Sequence, residues 1–222
     1  DASTEPSIFS GSLGDGIRKT FDTIGKRFAF GGDTGKDQRV YYFNTKELPQ
    51  LVRQRQAEFP GNKVIEQLSR CSLEYGCFTA QNIMYRRWEG GLPVSPACNA
   101  ACLACLSEQE EGGPESPQQR IKCCPQAEEI ADLETAEEAM VSFGQGCEGE
   151  PSLAWPQICE SIRLIRSATK RGLININTNA GNTQAIAKII EAGIDSMRVS
   201  LFSALADDYA AYHRPRDYGL SD

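Results

Sequence analysis

Histidine is nearly missing from this chain: His213 is the single one among 222 residues. One imidazole cannot build the multi-histidine site of a zinc hydrolase, so that class is set aside. Long apolar runs are also missing, and no stretch of eighteen apolar residues offers a membrane-spanning helix. The opening DASTEPSIF has neither the basic nor the apolar region of a secretory signal, and a cytoplasmic location is expected. Basic excess is absent where the chain is largest. Residues 91–222 hold 10 Lys/Arg against 19 Asp/Glu, while residues 1–90 hold 13 against 11. An acidic body argues against broad nucleic-acid binding, which rests on neutralising phosphates. GSLGDG at 11–16 has the glycines of a phosphate loop but neither its Gly-Lys-Ser/Thr ending nor a preceding strand, and reads as flexible chain.

Cysteine, in contrast, is abundant. Nine cysteines stand at 71, 77, 98, 102, 105, 123, 124, 147 and 159. The odd count and the crowding of three within eight residues suit cofactor ligation in a reducing compartment better than a disulfide framework. Apolar residues make up 40% of the chain and mean hydropathy is -0.41, enough for a core in one substantial domain or two small ones.

Residues 1–36 read as a loosely ordered arm with one amphipathic patch at 17–30. Residues 37–90 read as a mostly helical accessory segment. VYYF at 40–43 predicts a strand, and helices are expected over 47–59, 62–71 and 79–89, with Pro60 and Gly61 breaking the first two. The Gly90-Gly91 pair marks the candidate boundary. From there the pattern alternates: strands at 92–96, 140–146, 173–180 and 196–204, with helices from Pro125, over 155–172 and over 183–193. Such alternation predicts an α/β fold with a parallel sheet, whose functional groups collect at the carboxyl ends of the strands.

CNAACLAC places Cys98, Cys102 and Cys105 in a Cx3Cx2C run directly after the first of these strands. Soft thiolates select iron-sulfur clusters, zinc or Cu(I). Three ligands would leave one iron of a 4Fe-4S cube open to a small chelating molecule. A zinc site completed by Cys77 or Cys123, and plain buried thiols, remain as alternatives.

The cysteine run resembles the signature of the radical S-adenosylmethionine superfamily, which lies in the loop after the first strand of a partial or complete (β/α) barrel. Ala104 stands where many members have an aromatic. EGEP at 148–151 is similar to the family's GGEP-like run, reached through an insertion QGC at 145–147. Thr178-Asn179-Ala180 resembles its TNG, and Ser200, with Ser203 close behind, its serine after the fourth strand. The resemblance implies a partial barrel that binds a 4Fe-4S cluster through Cys98, Cys102 and Cys105. It implies S-adenosyl-L-methionine bound near Gly149, Glu150, Asn179, Ser200 and Arg214. The implied activity is reductive cleavage of S-adenosylmethionine to start radical chemistry, with electrons from a small donor such as flavodoxin or ferredoxin. The alternative is a non-catalytic iron-sulfur electron-transfer or scaffold protein.

Period two puts Asn175, Asn177 and Asn179 on one side of the third strand, a costly choice unless each amide is bonded or lines a polar interior. Arg214 offers a fork for a carboxylate, or is a surface charge. Cys147, beside the presumed cofactor site, is expected outside the ligand set; Cys159 reads as packing. Cys71 and Cys77 are too few for a second cluster. The family's core carries a fifth and a sixth strand, so residues 91–222 are expected to be an incomplete core.

Overall fold

The computed structural model describes residues 40–87, 89–109, 115–131 and 139–222. The arm at 1–36 with its GSLGDG run, and residues 132–138 of the helix expected from Pro125, lie outside them. No helix among the described residues is long and apolar enough to cross a membrane.

Among the described residues, three helices precede the sheet: α1 (Leu48–Glu58), α2 (Lys63–Leu73) and α3 (Phe78–Met84). Pro49 sits in the first turn of α1, where its missing N–H costs nothing. Asn62 caps α2 by accepting the Ile65 N–H at 3.0 Å. Val64, Ile65, Leu68 and Cys71 form the buried stripe of that helix. The expected strand at 40–43 is instead a short 3-10 turn at Val40–Tyr42. Its aromatics are held by ring contacts rather than by a ladder. Phe43 stacks on Phe78 at 4.0 Å, and the Arg87 guanidinium lies 3.8 Å from the Tyr85 ring while donating to the Tyr42 carbonyl at 2.7 Å.

Four strands follow: β1 (Glu89–Gly91), β2 (Met140–Phe143), β3 (Leu173–Thr178) and β4 (Ser196–Val199). All pair in parallel, in the order β1-β2-β3-β4. The remaining helices are α4 (Ala127–Ala131), α5 (Trp155–Ala168), α6 (Thr183–Ala192) and α7 (Ala206–His213). Together they give a mixed α/β fold with helices ahead of a parallel sheet. Asn182 caps α6 at the Ala185 N–H, and Gly193 closes it at φ +100°. Helix α7 escapes the sequence reading because Tyr209 and His213 are its only buried anchors.

Strand register sorts the side chains into two faces. Val141, Phe143, Ile174, Ile176 and Met197 share one face and pack with Ile83, Ile158, Ile162 and Ile189 into the core. Ile158 and Ile162 are fully buried, each contributing roughly 2 kcal/mol of transfer free energy. The opposite face is polar: Ser142, Asn175 and Ser196 lie in one row, with Asn177 beside Arg198. The period-two asparagines are thus satisfied by the sheet itself. Asn175 donates to Ser142 Oγ at 3.1 Å and accepts from Ser196 Oγ at 2.7 Å; Asn177 donates to the carbonyls of Phe143 and Gly144.

The first strand is displaced from its expected place. It is the Gly-Gly pair itself, and only Leu92 extends its pairing, donating to the Ser142 carbonyl at 2.8 Å. Pro93 has no N–H to offer a ladder. The N–H groups of Val94 and Ser95 turn to a side chain, Glu148, at 2.8 and 3.1 Å. Strand β2 ends early for a related reason: Gly144 takes φ +80°, and a Cβ there would lie 1.8 Å from the Asn177 carbonyl oxygen.

Gly90 is required by α3. A Cβ on Gly90 would lie 2.0 Å from Ile83 Cδ1, and Ile83 is fully buried. Gly90→Ala should therefore destabilise the fold by about 1–3 kcal/mol, and Ile83→Ala by about 2–5 kcal/mol. The double variant should lose clearly less than the sum, because the new methyl fills the space the isoleucine vacates. Urea unfolding of the four proteins checks this; strict additivity would show that the two residues do not share that space.

Candidate functional site

The carboxyl ends of the strands gather the Cys98–Cys105 loop, the turn at 148–151, the end of β3 and the segment after α7. Two glutamates of the EGEP run organise them. Glu148 is buried, and its carboxylate accepts four backbone N–H groups: Val94 and Ser95 on Oε2, Gly144 and Gln145 on Oε1 at 2.6 and 2.9 Å. It clasps the segment after β1 to the segment after β2. Burial pushes its carboxyl up to about 7, against the opposing pull of those N–H groups.

Glu150 is buried as well. Its carboxylate accepts the Ser152 N–H at 3.0 Å, the Asn179 N–H at 2.8 Å and the Thr178 hydroxyl. It starts the 3-10 turn Pro151–Ala154 and ties that turn to the end of β3. Gly149 lies against the cysteine loop: a Cβ would sit 2.0 Å from the Ala97 carbonyl oxygen. The N–H groups of Gly149 and Glu150 donate to the carbonyls of Ser95 and Ala97 at 2.7 and 2.8 Å. Asn179 donates from its amide to Asn99 Oδ1 at 2.7 Å, and Ala180 takes the left-handed φ of +58° that glycine would hold more easily. Ser200 is exposed, its N–H on the Thr178 carbonyl at 2.9 Å. Arg214 caps α7 at φ +46°, with an exposed side chain. Glu150, Gly149 and Asn179 thus meet around the loop; Arg214 joins it through its carbonyl, which accepts the Ala101 N–H at 3.3 Å, while Ser200 is tied to β3.

The loop is fastened from the far end of the chain. Ala101 donates to the His213 carbonyl at 3.1 Å, Leu103 to Tyr212 at 3.0 Å, and Arg216 to Asn99 at 2.9 Å. Two of the three thiols have side-chain neighbours of their own. Cys102 Sγ lies 3.3 Å from His213 Nδ1. Cys105 Sγ lies 3.7 Å from Ser107 Oγ and 3.8 Å from Arg120 Nη2. Burial pushes the Cys98 thiol up; burial together with the charges of Cys98 and Cys105 pushes Cys102 up to about 11. Burial acts the same way on Cys105 but is outweighed by donors from Ser107, Glu108 and Arg120, which hold that thiol below its usual value.

These placements correct the sequence expectation. Among the described residues no group of three or more His, Cys, Asp and Glu side chains stands where it could hold a metal ion. Cys98, Cys102 and Cys105 follow one another at the right spacing, but they are not among any group placed to hold a metal ion. The residues therefore do not fit a 4Fe-4S cluster, nor a zinc ion completed by Cys77 or Cys123. The radical S-adenosylmethionine assignment falls with the cluster. So do S-adenosyl-L-methionine as cofactor, its reductive cleavage, and the enzyme identity built on it.

Glu148 was missed by motif reading, although it carried a signal: it is the position at which EGEP departs from the GGEP-like pattern. His213, Arg120 and Asn99 carry no sequence signal for their places around the loop. No family model matches the chain, and no curated protein or solved structure matches it.

The Glu148 carboxyl titrates near 7 in the folded protein against an ordinary value of 4.5. The folded state therefore holds its proton more tightly over that interval. Its contribution to stability is fully present below about pH 4.5 and is lost as pH rises through about 7, on the order of 3 kcal/mol in all. Glu148→Gln should remove that part of the slope, and should cost about 1–3 kcal/mol at low pH because an amide NH2 then opposes two of the N–H groups. Urea unfolding at half-unit steps of pH reads both; an unchanged slope would deny Glu148 this part.

Proposed function

We propose that this chain is a non-catalytic scaffold module, whose β4 edge and adjoining apolar surface dock an extended segment of a partner polypeptide. One contrast carries the reading. The carboxylates of Glu148 and Glu150 and the amide of Asn179 are taken up by bonds within the chain, while apolar side chains beside them stand in solvent. Leu103, Val199, Leu201, Phe202 and Leu205 are each at least half exposed. Phe202 stacks on Tyr212 at 4.0 Å, and Tyr212 holds the Leu103 N–H, so the cysteine loop and the segment after β4 form one continuous surface. Contiguous exposed apolar area of this kind marks a protein-docking surface rather than a polar-ligand site.

Strand β4 supplies the complementary element. It ends the sheet, pairing with β3 on one side and with no strand among the described residues on the other. An added strand takes its main-chain affinity from such an edge and its specificity from alternate side chains. Arg198 of β4 also reaches Glu89 of β1 at 3.2 Å. Three strand spacings amount to roughly 14 Å on a flat sheet, so this bridge supports a curled sheet and a partial (β/α) barrel. In this reading residues 91–222 form the core and residues 37–90 brace it. Nine free thiols suit a reducing compartment such as the cytoplasm.

An array of extended peptides with alternating apolar and polar residues tests the docking surface. Binders are expected to slow amide hydrogen exchange over Ser196–Leu201. Val199→Lys or Leu201→Lys should weaken them at least tenfold, about 1.4 kcal/mol. Joint replacement of Cys98, Cys102 and Cys105 by alanine should leave binding within about twofold, or 0.4 kcal/mol. Absence of protection at β4, or binding that requires the three thiols, would refute the scaffold reading.

A further inference from the structure

Charge of one sign stands unpaired after the β4 edge. Residues 91–222 hold 19 Asp/Glu against 10 Lys/Arg, and two of those acids, Asp207 and Asp208, are exposed in the first turn of α7. Among the described residues no cation pairs with either. The Ser203 hydroxyl donates to Asp208 Oδ2 at 3.2 Å, which fastens the acid pair to the segment leaving β4. An acid in a first helical turn is ordinary, because it faces the positive end of the helix dipole. The run that leads into this turn is not: Val199, Leu201, Phe202 and Leu205 are each more than half exposed. The cations of this region are placed elsewhere. Arg198 is bridged to Glu89 at 3.2 Å, while Arg214 and Arg216 follow the other end of α7, about 10 Å from Asp207 along the helix axis.

The backbone of β4 fixes which groups a partner can reach. Ser200 donates its N–H to the Thr178 carbonyl at 2.9 Å, so positions 196, 198 and 200 turn their N–H and C=O groups to β3. Alternation turns those of Met197, Val199 and Leu201 the other way, outward from the sheet. We propose, building on the scaffold reading above, that the segment docked on this edge is cationic. It is an extended polypeptide that pairs with Met197, Val199 and Leu201 and lays apolar side chains on Val199, Leu201 and Phe202. Lys or Arg residues follow that apolar run and meet Asp207 and Asp208. The main-chain bonds and the apolar contact hold the segment, and the two acids select it. Exposed charges of this kind act chiefly on encounter and on the choice of partner, and salt screens them. A segment with the same apolar pattern but an acidic end meets like charge and is rejected.

The test titrates the whole chain with three labelled peptides that share one alternating apolar sequence and end in Lys-Lys, Gln-Gln or Glu-Glu. Fluorescence anisotropy reads affinity, and amide hydrogen exchange over Ser196–Leu201 reads the place of binding. The lysine peptide is expected to bind about tenfold or more tighter than the glutamate peptide, with the gap narrowing to roughly threefold as salt rises from about 50 to about 500 mM. Joint Asp207→Asn and Asp208→Asn should abolish the lysine preference while the glutamine peptide stays within about twofold. Joint Asp207→Lys and Asp208→Lys should reverse the order in favour of the glutamate peptide, a result that mere loss of α7 could not produce. Equal binding of all three peptides, with exchange still slowed at β4, would overturn the cationic partner and leave the scaffold reading standing. Preference of the native chain for the glutamate peptide would do the same. Exchange at β4 that no peptide slows would remove the scaffold reading itself, and this inference with it.

Discussion

The carboxylate of Glu148 occupies a place where two neighbouring strands both run out of ladder partners. Beyond β1, the N–H groups of Val94 and Ser95 have no strand to meet; beyond β2, those of Gly144 and Gln145 have none either. A buried N–H without an acceptor costs about 1–3 kcal/mol, so four at one corner would be severe. One side chain with two oxygens accepts all four. The cost of burying that carboxyl appears as its raised pKa, and the benefit as two strand ends held in register. Gly149 and Glu150 follow from this clasp, because the turn that places Glu148 also sets their N–H groups against Ser95 and Ala97.

The same economy explains why a loop with a cluster-binding spacing does not build a cluster site here. Each candidate group has a nearer obligation: Glu150 holds the end of β3, Asn179 holds Asn99, Cys102 faces His213 and Cys105 faces Arg120. These bonds stiffen the corner, in which Ser152 Oγ, His213 Nε2 and the Tyr218 hydroxyl are buried without a hydrogen-bond partner among the described residues. The outward-facing side chains at this corner include an apolar set, from Leu103 through Phe202 to Leu205, beside the exposed Ser200 and Arg214, and the sheet edge next to them is β4.

The polar face of the sheet gives a second example of one residue type serving two readings. Alternating asparagines in a strand suggest a lined ligand interior, and the register places Asn175 and Asn177 on one face as period two demands. Yet Asn175 is fully buried between Ser142 and Ser196, and Asn177 closes over the carbonyls where β2 turns away. The amides cross-link adjacent strands, a use that periodicity alone cannot separate from ligand binding.

The sequence by itself determined the rhythm of the fold. Strands β2, β3 and β4 and helices α2, α5 and α6 overlap the segments that periodicity, caps and glycine stops assign to them, because those signals act within a few residues. The errors lie where a distant partner decides. The run from Leu92 to Pro96 has the composition of a strand, but Glu148 takes its N–H groups; the aromatic run at 40–43 has strand propensity, but Phe78 and Arg87 hold its rings. The cysteine spacing was fully legible, and the chemistry inferred from it was not. Whether three sulfurs converge depends on side-chain directions set by His213, Arg120 and Ser107, and two of those three lie beyond the reach of any local signal.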